Sequence, residues 1–256
     1  MIFDFKANRI IAILGVFLLL IITLAMSNAE TGGIMIVLVT LIYVFILARI
    51  MKSVASNGYR AIHQKLFVHA DAKGYLEDVE RLFKTTKRKK DFEGIKLQNL
   101  IMAYVFAGDF DKAREYQQLF LKEFEDQLNR HDSVRFSKGM IETLIVLFDY
   151  NEDLFLEAYN RLNEQLNTMQ PETIQHVREN PYSIFYMITR LKEMIIDEND
   201  VTVDKVKELV NEANEFLKAS VLYMVFRNNY LDATYVNEFE KTPGNTMFYR
   251  DQESIY

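Results

Sequence analysis

The sequence predicts an all-α protein in which an N-terminal transmembrane helical hairpin precedes a domain of antiparallel helix pairs. Two apolar runs, residues 10–26 and 34–51, stand at the beginning of the chain and are separated by a short polar break. Further along, apolar side chains recur at three- and four-residue intervals, the spacing of a helix packed on one face. The chain holds only 3 prolines and offers little of the alternation typical of strands.

Each apolar run is predicted to be one membrane span. Crossing the ~30 Å hydrocarbon layer takes about 20 residues, so each run reaches across only with its flanks. Because residues 27–33 are too few to cross back, the two runs are predicted to form a hairpin, with their backbone groups paired inside each helix. An alternative is a cleavable signal peptide ending near Ser27, but the run at 34–51 would still anchor the remainder.

Basic residues flank the hairpin on one side. Lys6 and Arg9 precede the first run, Arg49 and Lys52 follow the second, and the break carries only Glu30. The positive-inside rule therefore predicts that both termini are cytoplasmic in a multi-pass protein of the cell membrane, which we expect to be bacterial. The predicted segments are a cytoplasmic N-terminus (1–9), two spans (10–26 and 34–51), an external loop (27–33), a cytoplasmic helical domain (52–240) and a flexible tail (241–256).

Composition limits the classes of function. The chain has no cysteine, which excludes disulfides, thiol nucleophiles and cysteine-ligated zinc. Residues 1–90 contain 13 Lys and Arg against 6 Asp and Glu, whereas the rest contains 17 against 30. A basic part near the membrane and an acidic distal part suit a domain held in the cytosol. The spans lack an ionisable residue at their centres, so an anchor is favoured over a channel or transporter.

The soluble part is predicted to be helical throughout. Residues 56–58, Ser-Asn-Gly, are predicted to form a joint where the second span stops or bends. Pro171 and Pro181 are expected in first helical turns, and Asp200 or Thr202 is expected to cap the helix that follows. The predicted helices are at residues 59–71, 75–86, 92–107, 110–128, 133–149, 152–168, 172–179, 182–197, 202–218 and 220–229.

The strongest local pattern lies in residues 97–116. It contains Asn99-Leu100 and Ala103-Tyr104, then Gly108-Asp109-Phe110 at a turn, then Ala113 and Tyr116. This pattern resembles the tetratricopeptide repeat, which implies a solenoid of helix pairs with a peptide-binding inner groove. Gly108 is suited to a positive φ at the helix end, and Asp109 or Asp111 to capping the next helix.

Two weaker copies are expected beside this unit. Gly74 stands thirty-four residues before Gly108, which is the period of the family, although Val79 replaces the alanine of the second helix. Residues 135–166 offer a fainter pair in which Glu157-Ala158-Tyr159 echoes the second helix. Since about three units are needed for a stable stack, these neighbours are predicted to complete one domain.

The sequence offers no catalytic motif. It lacks a Gly-rich phosphate loop, a Gly-x-Ser-x-Gly elbow and a His-Glu-x-x-His pattern, and its 4 histidines are scattered. Acidic groups such as Glu123, Glu125 and Asp126 are interpreted as solvated faces and caps. We therefore predict no enzyme activity, no cofactor, no metal site and no nucleic-acid partner.

Two sets of residues are candidate binding sites. The resemblance implies that Gln98, Asn99 and Met102 project into the inner groove and bind a protein or peptide partner, with helix-surface positions as the alternative. A basic run at a predicted turn is interpreted either as a solvated helix end or as a contact for anionic lipid or an acidic partner. Its members are Lys84, Lys87, Arg88, Lys89 and Lys90.

These observations predict a membrane-anchored cytoplasmic scaffold or adaptor that binds a protein or peptide. The alternative is an accessory or regulatory subunit that contacts a larger membrane complex through its hairpin. The two hypotheses differ in whether partners attach to the domain or to the spans.

Overall fold

The structure, a computed structural model, describes residues 6–27, 33–85, 90–128, 130–149, 151–194, 201–227 and 231. These ranges form twelve α-helices and no strand, which confirms the all-α prediction. The predicted tail at 241–256 lies outside them. The helices are α1 (Lys6–Ser27), α2 (Gly33–Phe67), α3 (Ala72–Thr85), α4 (Lys90–Phe106), α5 (Phe110–Glu123), α6 (Glu125–Leu128), α7 (Asp132–Phe148), α8 (Glu152–Asn167), α9 (Pro171–Glu179), α10 (Ile184–Lys192), α11 (Val203–Glu212) and α12 (Glu215–Arg227).

Within the described residues, one helix near the N-terminus is long and apolar enough to cross a membrane. It is Met35–Phe67 within α2, and its most apolar window is 0% buried by the rest of the protein. The apolar part of α1, Arg9–Leu24, is shorter. The predicted joint at residues 56–58 is wrong, because α2 continues through it without a break. A glycine inside a helix costs only about 1 kcal/mol, so Gly58 does not end α2.

The described chain divides into two compact units. The N-terminal unit contains α1, α2 as far as His63, and the end of α3 from Arg81. The C-terminal unit contains Gln64–Glu80 and the helices from α4 onward. The division falls within two continuous helices, α2 and α3.

The C-terminal unit is built from helix pairs. α4 packs mainly against α5, and α7 packs mainly against α8. α7 also contacts α4 and α5, so the second pair lies against both helices of the first. Ala103 of α4 and Ala113 of α5 are fully buried, as expected for small residues that allow helices to approach closely.

An aromatic cluster joins these pairs to the last helix. The ring of Phe106, at the end of α4, lies 5.4 Å from that of Phe148 in α7 and 5.1 Å from that of Phe216 in α12. Phe216 also contacts Phe67, at 4.9 Å, and all four rings adopt edge-to-face geometry. The helix predicted at residues 220–229 therefore corresponds to a core helix, α12, that packs back on the earlier pairs.

Side-chain caps begin several of the helices. Asp71, Asp109 and Asn151 each accept a hydrogen bond on the side chain from the backbone N–H three residues later, at 2.8, 3.2 and 3.1 Å. The residue four positions after each, Tyr75, Ala113 or Phe155, is buried. The carboxylate or amide thus satisfies a donor that the first helical turn leaves without a partner.

The first of these junctions differs from the predicted one. Gly74 lies inside the first turn of α3, whereas the left-handed residue before the cap is Ala70, with φ 50°. Its counterpart Gly108 has φ 70°, as predicted. The two junctions are marked by their caps, Asp71 and Asp109. These caps are further apart in sequence than Gly74 and Gly108, which are thirty-four residues apart.

Two predicted helices are interrupted. The helix expected at 110–128 breaks at Phe124, and the one expected at 202–218 breaks before α12. Asn214 causes the second break, because its side chain accepts from the N–H of Leu217 at 2.9 Å and donates to the Pro181 carbonyl at 2.8 Å. Pro181 lies in a turn before α10, whereas Pro171 begins α9 as expected and Thr202 caps α11.

Candidate functional site

Asn99 is part of the core of the C-terminal unit. Its side chain is 4% exposed, and its Oδ1 accepts a hydrogen bond of 3.0 Å from the Tyr75 hydroxyl of α3. Its Nδ2 donates to the carbonyl oxygen of Ile95 at 2.7 Å. Burial of an amide requires such partners. Asn99 therefore connects α3 to α4, and its described hydrogen bonds are internal rather than directed at an open groove.

The other two predicted groove residues occupy different settings. Met102 is buried, with 9% of its surface exposed, because it lies on the face of α4 that packs into the core. Gln98 is half-buried and lines a cavity. Of the three residues implied by the resemblance, only Gln98 is accessible to a ligand in this structure, and its role in binding stays a prediction.

The cavity beside Gln98 has a volume of about 480 Å³. It lies between the first half of α4, the break between α5 and α6, and the start of α7. This volume falls within the range of small-ligand sites, about 300–1,000 Å³. Its apolar wall is formed by Ile95, Phe120, Phe124 and Val134, and its polar groups belong to Gln98, Glu123, Asp126 and Gln127.

The break at Phe124 shapes this cavity. α5 ends at Glu123, and Phe124 leaves helical geometry with φ −113° and ψ 14°. Its ring lies 5.1 Å from that of Phe120, at an angle of 30° to it. The ring also lies against Gly94, where an added Cβ would stand 3.0 Å from Phe124 Cζ. The missing side chain at Gly94 thus gives the ring its place at the cavity wall. Sequence reasoning missed the cavity because it predicted one unbroken helix here.

A polar cluster lies near the turn between α4 and α5, away from the cavity. The Tyr104 hydroxyl donates to the Glu80 carboxylate, and the Tyr104 ring stacks on Tyr116 at 5.4 Å. Lys112 lies 5.0 Å above the Tyr104 ring and 3.4 Å from Asp109. Burial, reinforced by the hydrogen bond to Glu80, raises the pKa of Tyr104 well above its usual range. These contacts join α3, α4 and α5 and explain the two tyrosines of the sequence pattern.

In the N-terminal unit, α1 and α2 contact each other at Gly15. The Tyr43 hydroxyl of α2 donates to the Gly15 carbonyl oxygen at 2.9 Å. An added Cβ at Gly15 would lie 2.6 Å from Leu47 Cδ2, so the glycine allows that side chain to approach the α1 backbone. A small residue at a close contact and an interhelical hydrogen bond are the usual means by which helices associate in lipid.

The basic run is largely outside the described residues. Lys84 lies exposed in the last turn of α3, where the helix dipole stabilises a cation. Only the backbone of Lys90 is described. Lys87, Arg88 and Lys89 lie outside the described ranges. Contact of the run with anionic lipid stays a prediction. Among the described residues, no group of three or more His, Cys, Asp or Glu side chains is arranged to hold a metal ion.

Comparison with known proteins gives no relative: no protein-family model, no curated protein and no solved structure matches this chain. The candidate site is therefore defined by its geometry. It consists of the cavity beside Gln98 in the C-terminal unit. The chain reaches this unit through α2, whose apolar window is not covered by the protein.

Proposed function

We propose that this protein is an integral membrane scaffold whose C-terminal unit binds a segment of a partner protein on the cytoplasmic side. The observation that carries the proposal is the contrast within one chain. α2 presents an apolar window with no protein cover, whereas the C-terminal unit buries its own core and keeps an open cavity of mixed polarity.

The anchor is proposed to be a hairpin of α1 and α2 with both termini inside. An exposed apolar helix of this length is stable only when lipid or another protein covers it. α1 is shorter, but its contact with α2 through Gly15 and Tyr43 supports insertion of the two helices together. The basic residues at the start of α1 and after residue 48 support the inside orientation.

The binding unit is proposed to be a tetratricopeptide-like solenoid. The packing of α7 on both helices of the preceding pair supports repetition of one helix-turn-helix element. Stacks of such pairs bind extended segments of other proteins on their surfaces. In this chain we assign that surface to the cavity beside Gln98.

Photo-crosslinking in native membranes tests the proposal. A photoreactive amino acid replaces Gln98 at the cavity, exposed Glu115 on α5 as the control away from the cavity, or Phe17 on α1, whose side chain is 64% exposed. We expect one specific protein adduct from position 98 and none from position 115. Position 17 should react with lipid.

Two other results would count against the scaffold. A protein adduct from position 17 alone would support the accessory-subunit alternative, in which the hairpin contacts a larger complex. Adducts from neither position would exclude both functions for the membranes tested. Because the chain has no cysteine, Ser27→Cys and Thr202→Cys give matched labelling sites for topology. An impermeant thiol reagent applied from outside should label only the first.

A further inference from the structure

The mouth of the cavity beside Gln98 is acidic. Glu123 ends α5 and Asp126 lies in α6, and both side chains are exposed at the cavity. The other polar lining groups, Gln98 and Gln127, are uncharged amides, and no described Lys, Arg or His lines the cavity. Within the described residues, neither carboxylate forms an ion pair. Among the side chains that the structure describes, the mouth therefore carries negative charge with no facing cation.

The inner wall of the same cavity is aromatic and aliphatic. Phe120 is 1% exposed, and the half-buried ring of Phe124 lies beside it. Ile95 and Val134 complete this wall from α4 and α7. A ligand in the cavity thus meets apolar surface inside and carboxylates at the opening.

We infer that this cavity receives a lysine or arginine side chain from the partner segment, which deepens the proposed scaffold function and depends on it. The aliphatic stem of such a side chain packs on the phenylalanine rings, and its cationic head reaches Glu123 and Asp126. The face of Phe124 adds a favourable contact for the cation. An acidic segment would be repelled by the two carboxylates, and a wholly apolar one would leave them unpaired.

The helix break at Phe124 shapes the wall of this binding site. A continuous helix through residues 110–128 would carry the residue at position 124 along the α5 axis instead of turning its ring toward Gly94. The two carboxylates, from successive helices, lie around one opening. Because these residues are three apart, a continuous helix would also place them on one face, so the break contributes the aromatic wall beside them.

Selection of random peptides displayed on phage tests the inference with the full chain in lipid nanodiscs, after depletion on empty nanodiscs. We expect the enriched peptides to share a lysine or arginine beside an apolar residue. A synthetic peptide of the enriched sequence should bind about tenfold more weakly when its arginine is replaced by the neutral isostere citrulline, the loss expected for a charge-assisted contact. Raising the salt concentration should weaken only the arginine peptide.

Matched variants assign this effect to the cavity. Glu123→Gln with Asp126→Asn should weaken the arginine peptide about tenfold and remove its advantage over the citrulline peptide. Glu125→Gln removes one negative charge from an exposed residue of α6 that does not line the cavity, and should leave binding unchanged. Val134→Phe should weaken both peptides by filling the space. Because all four side chains are exposed or half-buried, the fold should persist, and far-ultraviolet circular dichroism checks this.

The outcomes separate this inference from the proposed function. If position 98 still crosslinks its partner while the double variant binds peptides as the unaltered chain does, the inference is overturned and the scaffold remains. Enrichment of peptides that lack basic residues would also overturn it. If no peptide is enriched and position 98 yields no adduct, both proposals fail.

Discussion

Two tyrosine hydroxyls join helices in this protein, and they do so in opposite surroundings. Tyr43 of the N-terminal unit donates to a backbone carbonyl of α1, between helices whose other faces expose large apolar side chains. Tyr75 of the C-terminal unit donates to Asn99 inside a core covered by polar surface. In one unit the apolar side chains face outward, and in the other they face inward.

The difference shows what solvent each unit is suited to. Burying apolar area stabilises a helix bundle in water by roughly 25 cal/mol per Å², but the same area gives no such driving force between helices in lipid. Close approach at a glycine and a hydrogen bond must then hold the helices together. The contact at Gly15 has these features, whereas the aromatic cluster around Phe106 has the features of a water-soluble core.

The largest expected effect on stability comes from replacing a buried phenylalanine of the C-terminal unit, compared with an exposed one in α2. Phe106→Ala should lower the free energy of unfolding of the C-terminal unit by about 3–5 kcal/mol, because it leaves a cavity between α4, α7 and α12. Phe45→Ala, at a side chain 67% exposed in α2, should change it by less than about 0.5 kcal/mol. Urea titration of the full chain in nanodiscs, followed by near-ultraviolet circular dichroism, measures both. Equal losses would contradict the contrast between the units.

Two exposed leucines should respond differently to an added charge, one with a loss and the other with no change. Leu41→Arg, at a side chain 62% exposed in α2, should reduce membrane insertion by about 2.5–3.5 kcal/mol if lipid covers that face. Leu119→Arg, at a side chain 45% exposed in α5, should leave insertion and domain stability unchanged within about 0.5 kcal/mol. Extraction of isolated membranes at alkaline pH reports the inserted fraction. Full insertion of the Leu41 variant would exclude a lipid-facing position.

The buried hydrogen bond of the C-terminal unit has an intermediate expected effect. Tyr75→Phe removes the donor and leaves the buried Oδ1 of Asn99 without that partner, which should cost about 1–3 kcal/mol of unfolding free energy. Tyr182→Phe removes a hydroxyl from a half-exposed ring and should be nearly neutral. The same urea titration compares them. A neutral Tyr75 variant would mean that Asn99 does not depend on this contact.

Much of the helical architecture was predictable because it depends on local signals. The turn at Gly108 and the cap at Asp109 follow from residues within a few positions, and both are found as predicted. The burial of Asn99 was not predictable in the same way, because it depends on Tyr75 in a different helix. The resemblance placed Asn99 by its position in a family pattern, and that position does not specify what the preceding helix contributes.

The remaining differences also have physical causes. Ala70 adopts a left-handed conformation that a sequence normally marks with glycine, so the first junction was assigned to Gly74 instead. The break at Phe124 has no glycine or proline to signal it, and the aromatic wall of the cavity depends on that break. Glu123 and Asp126 were therefore interpreted as solvated groups. The presence of Gly94 on α4, opposite an aromatic residue, was the one available signal.

The smallest expected effect, at the contact between α1 and α2, tests the comparison most directly. Tyr43→Phe removes the interhelical hydrogen bond and should weaken the contact by about 0.6 kcal/mol, and by no more than about 1.7, as measured for such bonds in lipid. Thr23→Val is the matched control, because that hydroxyl donates to Leu19 within its own helix. Since the chain has no cysteine, spin labels on Ile10→Cys and Ile50→Cys report the distance between α1 and α2. We expect the Tyr43 variant, but not the Thr23 variant, to broaden the distance distribution in nanodiscs. An unchanged distribution would show that packing of Leu47 against Gly15 is sufficient to hold the two helices together, and that the tyrosine serves a different purpose from its counterpart in the core.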